Sequence, residues 1–102
     1  MTDGWRQILA ESPGVLPALL RKTLDADLRA ALDAIETRDN VRLVFIAHRL
    51  KGSARLLGDA QATALCASLE ATAQAGDTAL ARLLLMRTRR ALASALRRLD
   101  PP

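Results

Sequence analysis

The sequence predicts an all-α protein: an antiparallel, up-and-down four-helix bundle with one short additional helix at its N-terminus. Three observations lead there. Half of the residues are apolar, yet only Trp5 and Phe45 are aromatic, so the core has to be assembled from Leu, Ala, Ile and Val. Ala, Leu and Arg head the helix-propensity scale, and β-branched residues are scarce in the chain. Apolar residues also recur at spacings of three and four, interrupted at short intervals by glycine, proline or acidic turn residues. With 102 residues there is room for one domain and one core, so the whole chain is read as a single domain.

Residues 2–11 form the short helix, capped by Thr2 or Asp3 and broken by Pro13-Gly14, with Trp5 as the anchor that seats it on one end of the bundle. Residues 15–37 carry Leu16, Leu19, Leu20, Leu24, Leu28, Ala31, Leu32 and Ile35 on one stripe, and Pro17 is tolerated in the first turn. After the turn Arg38-Asp39-Asn40 a helix runs over residues 40–57 and stops at Gly58, a left-handed C-terminal residue. Asp59 caps the next helix, residues 60–75, which turns Leu65, Cys66 and Leu69 inward. Gly76-Asp77 ends it and caps the last helix, which continues to about residue 99 before Asp100-Pro101-Pro102. There Ala81, Leu84, Leu85, Thr88, Leu92, Ala95 and Leu99 face one way, and Arg82, Arg89, Arg90 and Arg97 the other. Turns this short favour antiparallel packing of neighbours.

Composition excludes several function classes. The longest apolar run, Leu83-Leu84-Leu85-Met86, is far too short to span a bilayer, and nothing near Met1 resembles a signal peptide, so a cytoplasmic protein is expected. One cysteine, Cys66, rules out an intramolecular disulfide, and a single histidine argues against a zinc centre. The formal charge of +4 rests on thirteen arginines against Lys22 and Lys51. Together with the many Ala and Leu residues, that pattern matches the coding bias of a GC-rich bacterial genome. Nucleic acid is therefore not expected as a partner, and the arginines are read as a solvated face that steers an acidic surface.

The informative stretch is Ala47-His48-Arg49-Leu50-Lys51-Gly52-Ser53-Ala54-Arg55-Leu56-Leu57-Gly58. At about 100° per residue, Leu43, Ile46, Ala47, Leu50, Ala54 and Leu57 form one arc, and His48 lies about half a turn from its centre. The imidazole is thus predicted on the outer face. Lys51 and Gly52 are its neighbours at three and four residues, and Arg55 lies one turn further. A glycine inside a helix costs about 1 kcal/mol relative to alanine, so a local benefit is expected, and clearance for another protein beside the ring is that benefit. Val41, Val44, Phe45 and Leu56 project to the same side as an apolar docking patch, unless the N-terminal segment covers Phe45 and Leu56. An exposed neutral imidazole is a competent nucleophile at physiological pH, and a cation at Lys51 suits a transferred phosphoryl group. The chain has no glycine-rich phosphate loop or nucleotide motif, so the phosphate donor has to come from elsewhere.

At these residues the sequence resembles the histidine-containing phosphotransfer (HPt) domains of bacterial phosphorelays. The shared pattern, His-x-hydrophobic-Lys-Gly-small-small followed by x-x-hydrophobic-Gly, stands here as residues 48–58, and the "LCxxLE" stretch of the family as Leu65-Cys66-Ala67-Ser68-Leu69-Glu70. The resemblance covers about residues 15–99. It implies that His48 accepts a phosphoryl group at Nε2 from the phospho-aspartate of a receiver domain and passes it to the aspartate of another, with Lys51 stabilising the group and Gly52 leaving room for the receiver. Glu70 stands where the family often has a Gln or Glu that hydrogen-bonds the imidazole, which would fix the tautomer with Nε2 free. Family members are phosphocarriers without an ATP site, occurring alone or as the C-terminal module of a hybrid sensor kinase. The resemblance implies no cofactor in this chain, with Mg²⁺ held by the receiver of the kinase or response regulator.

Two other readings remain. The phosphoacceptor domain of a chemotaxis-type kinase is similar and also carries Lys-Gly after its histidine, but the segment after the lysine there is richer in glycine, which "GSARLLGD" fits less well. A basic helical binding module would use Arg82, Arg89, Arg90 and Arg97 and bind with a steep salt dependence. A monomer is expected, because a bundle of this kind closes its own core.

Overall fold

The computed structural model describes residues 14–99, and the regular structure within them is helical. Four helices follow one another: α1 (Val15–Glu36), α2 (Asn40–Leu56), α3 (Ala60–Ala75) and α4 (Thr78–Arg97). Their ends fall within two residues of those predicted. The short helix expected over residues 2–11 and its anchor Trp5 lie outside the described residues.

The boundaries follow from local chemistry. Pro17 occupies the first turn of α1, where a missing N–H removes no helical hydrogen bond. The end of α1 is closed by Thr37, whose hydroxyl donates to the Asp33 carbonyl at 2.9 Å, and by Arg38 in the left-handed region at φ 55°. Asp39, Asp59 and Asp77 then cap α2, α3 and α4 by accepting from the backbone N–H of Arg42, Ala62 and Leu80. Gly58 and Gly76, at φ 68° and 75°, make the left-handed turns that let successive helices reverse within two or three residues.

Packing closes a ring: α1 lies against α2, α2 against α3, α3 against α4, and α4 back against α1. The α2–α3 seam is the densest and the α1–α4 seam the sparsest. Leu24, Leu43, Leu50, Leu69 and Leu92 fill the interior. Ala47 and Ala54 on α2, with Ala62, Cys66 and Ala73 on α3, supply the small buried residues that let these two helices approach closely. Thr88 is fully buried, and its hydroxyl donates to the Leu84 carbonyl at 2.8 Å. Ion pairs tie the outside: Arg49 to Asp27 at 2.9 Å between α2 and α1, Arg42 to Asp33 at 2.6 Å, and Arg98 to Asp59 across the end of the bundle.

Several expectations need correction. Leu19 and Leu32 on α1, and Leu99 beyond α4, are exposed rather than inward. A three-and-four repeat marks a stripe wider than the neighbouring helices cover, so its edges stay wet. Leu16, Leu28, Leu57, Leu65 and Leu84 are half-buried at the border of the core. Among the described residues no helix is long and apolar enough to cross a membrane.

Candidate functional site

The buried arc of α2 consists of Leu43, Ile46, Ala47, Leu50 and Ala54, which turns the opposite face outward. Val41, Phe45, His48, Gly52 and Leu56 follow one another there at spacings of four, three, four and four, a single stripe on the helix surface. The His48 side chain is 67% exposed, and Val41, Phe45 and Leu56 are each at least 65% exposed. Arg55 is also exposed beside Gly52. Val44 departs from the expected patch: it is half-buried and packs against the core. At about 100° per residue its position is about 80° from the middle of the stripe, which tips its short side chain into the gap between helices rather than out.

A Cβ built on Gly52 meets no atom within 4 Å. The backbone there is ordinary helix, so neither internal packing nor backbone geometry calls for glycine. Nothing among the described residues of the domain accounts for the bare position.

Across the dense α2–α3 seam, Glu70 reaches both His48 and Lys51 of α2. His48 Nδ1 lies 3.3 Å from Glu70 Oε2, and Lys51 Nζ donates to Glu70 Oε1 at 2.8 Å. Lys51 and Glu70 are withdrawn from solvent, with side chains 17% and 18% exposed. Helical spacing predicts Lys51 as a cation beside the ring, suited to a transferred phosphoryl group. In the structure its ammonium is engaged by the carboxylate, a pairing that helical spacing on α2 alone does not reveal.

That pairing fixes the chemistry of the ring. The hydrogen bond from Lys51 holds the Glu70 carboxyl below the usual carboxylate range, against the opposing effect of its burial and with smaller help from His48. At neutral pH the carboxylate is therefore acceptor-only, so Nδ1 meets it as N–H. A neutral ring with its proton on Nδ1 carries its lone pair on Nε2, at the exposed edge.

Cys66 is buried one turn before Glu70 on α3. Burial pushes its thiol up to about 11, although the nearby charge of Lys51 works in the opposite direction. It is a core residue, as its sequence context indicated, and not a nucleophile at neutral pH.

One part of the surface was missed from sequence. Lys51 and Arg55 on α2 and Gly58, Ala60, Ala64 and Ala67 around α3 line an open groove of about 480 Å³. The clue was present as alanines at spacings of four and three on the solvent side of α3, a run of small residues where a surface helix ordinarily carries long polar ones. Among the described residues, no group of three His, Cys, Asp or Glu side chains converges in a way that holds a metal ion.

Comparison with known proteins bears on this arrangement directly. The family model described as "Hpt domain" matches residues 15–100, which takes in all four helices, the exposed histidine and the carboxylate beside it. No curated protein and no solved structure matches the chain. The extent of that match places the chain in the Hpt domain family, the phosphocarrier domains that carry out histidine phosphotransfer in phosphorelays.

Proposed function

We propose that His48 is the phosphoacceptor of this domain, taking a phosphoryl group from the phospho-aspartate of a receiver domain and returning it to the aspartate of a response regulator. The observation that carries the reading is the bridge of Glu70 between His48 Nδ1 and Lys51 Nζ, beneath an imidazole that is 67% exposed. The lone pair of Nε2 attacks phosphorus as the bond to the aspartyl oxygen breaks, and the aspartate leaves as carboxylate. The ring keeps its proton on Nδ1 and becomes cationic. Glu70 faces that new charge, so it both selects the tautomer and stabilises the imidazolium, as carboxylates paired with a catalytic histidine do. Lys51 holds Glu70 in place and supplies an ammonium close to the ring.

Docking is assigned to Val41, Phe45 and Leu56 as apolar contacts, Gly52 as clearance and Arg55 as a rim charge, with Val44 supporting the patch from below. The divalent ion of the reaction belongs to the acidic pocket of the receiver, and this chain acts as a carrier without an ATP site of its own. The same reading makes the domain a cytoplasmic monomer whose helices run antiparallel, up and down, which is supported by turns of two or three residues between helices that pack on their sequence neighbours.

The test is incubation with a phosphorylated receiver domain and Mg²⁺, with His48→Gln alongside. Acid-labile, base-stable label on the wild type and none on the variant is the expected result. Label arriving only from an ATP-bound kinase domain would assign the chain to the chemotaxis-kinase type, and label that survives His48→Gln would remove His48 from its role.

A further inference from the structure

We infer that the α1–α4 seam is a second docking groove, built to receive an acidic amphipathic helix from a partner protein. The inference does not depend on the role of His48. In the ring of helices this seam lies across the bundle from the α2–α3 seam, so a partner seated here leaves the His48 face open.

Two connected hollows run along the seam, of about 550 and 240 Å³, and share Asp25, Leu28 and Arg89. Their floor is apolar, with Leu24, Leu28, Leu85, Leu92 and Leu96. Leu32 and Met86 stand exposed at one end, next to the exposed Leu83. The stretch of α1 involved, from Arg21 to Leu32, spans ~17 Å, about three turns of a partner helix. A concave apolar strip between two helices is the shape that accepts the apolar face of a third.

Charge selects the occupant. Lys22, Arg82, Arg89 and Arg97 rim the hollows, and none has an acidic partner among the described residues. Among the described residues Asp25 is the one acid in the lining, and Arg29 already pairs with it at 3.0 Å. A second copy of the chain would bring the same cations to the contact and be repelled. A lipid surface needs a convex apolar face, whereas these leucines line a hollow. Glutamates flanking a leucine stripe satisfy both the rim and the floor.

The experiment uses the full chain and a fluorescent ~20-residue amphipathic peptide with leucine at the a, d and e positions and glutamate elsewhere. Saturable binding, amide shift changes on α1 and α4 but not around His48, and at least a tenfold loss of affinity in Arg82→Glu/Arg89→Glu are the expected results. Both arginines are exposed, so the variant keeps its fold, which circular dichroism checks. His48→Gln is expected to bind the peptide as the wild type does. Equal binding of a scrambled peptide, or shift changes on α2 and α3, overturns the proposal, as does the absence of saturable binding. Preferential binding to phosphatidylglycerol vesicles or duplex DNA replaces the protein partner with a membrane or nucleic acid. A dimer abolished by the double substitution assigns the groove to a second copy. A shift of Trp5 emission on that substitution, without peptide, assigns it to the chain's own N-terminal segment.

Discussion

Lys51 Nζ donates to Glu70 Oε1 at 2.8 Å across the α2–α3 seam, with both side chains largely withdrawn from water. A charge held this way depends on its partner, because removing one member leaves the other half-buried and uncompensated. Lys51→Ala is therefore expected to destabilise the domain by about 1–2 kcal/mol and to slow phosphotransfer. Glu70→Gln costs less stability, since the amide still offers one oxygen to the ammonium. Urea denaturation of the two variants measures the asymmetry, and equal, negligible costs would show that the pair contributes nothing.

His48→Gln should abolish phosphate acceptance and leave stability within about 0.5 kcal/mol of the wild type, the range of surface substitutions. The side chain is 67% exposed and supports no core contact. Parallel labelling and thermal denaturation separate the two effects; a large fall in melting temperature would mean that the ring holds the seam together.

At Gly52 an added Cβ meets nothing within 4 Å. Gly52→Ala is accordingly predicted to stabilise the helix by about 0.5–1 kcal/mol. Gly52→Gln keeps the fold but obstructs the approach to the ring, so transfer from a phosphorylated receiver slows while the melting temperature holds or rises. Normal transfer by Gly52→Gln would dispose of the clearance argument.

Acid sensitivity follows from two carboxyls. Lys51 holds Glu70 below the usual range, and the backbone N–H of Ala62, with help from Arg98, does the same for Asp59. The unfolded chain binds these protons more readily, so the stability they contribute is complete above the ordinary carboxylate value of about 4 and is lost as pH falls through the lower folded values. The urea midpoint is expected to decline through that acid range, less steeply in Glu70→Gln. Identical profiles for variant and wild type would contradict the assignment.

Cys66 is fully buried with its thiol pushed up to about 11. A thiol reagent at pH 7 should label it no faster than the protein opens globally, and labelling should accelerate with denaturant in step with unfolding. Rapid stoichiometric labelling of the native protein would place the residue in a mobile part of α3.

Helix ends were legible because they rest on local chemistry: the aspartate caps Asp59 and Asp77 and the glycines Gly58 and Gly76, each readable from one or two residues, whereas Asp39 was legible only as a turn residue and not as the cap of α2. The outward position of His48 was legible from the same periodicity. What periodicity could not supply was the partner across a seam. Helical spacing puts Lys51 one turn from His48, but its engagement with Glu70 depends on how closely α2 and α3 approach, which small residues at Ala47, Ala54 and Ala62 govern collectively. Leu19 and Leu32 were misassigned for a related reason: the width of a stripe is set by the neighbour that covers it. The alanine face at Ala60, Ala64 and Ala67 carries no chemistry of its own and becomes noticeable only where it shares a groove with Lys51 and Arg55.

Because Glu70 already engages Lys51, the resting trio with a neutral imidazole sums to no net charge. A phosphoryl group on Nε2 adds up to two negative charges and leaves the ring cationic, so two anionic groups then compete for one ammonium. Such a site offers its cargo no deep energy well. On the proposed role of His48, a high group-transfer potential follows for the phosphorylated domain, and the relative concentrations of phosphorylated and free receivers, rather than the carrier, are expected to set the direction of flow.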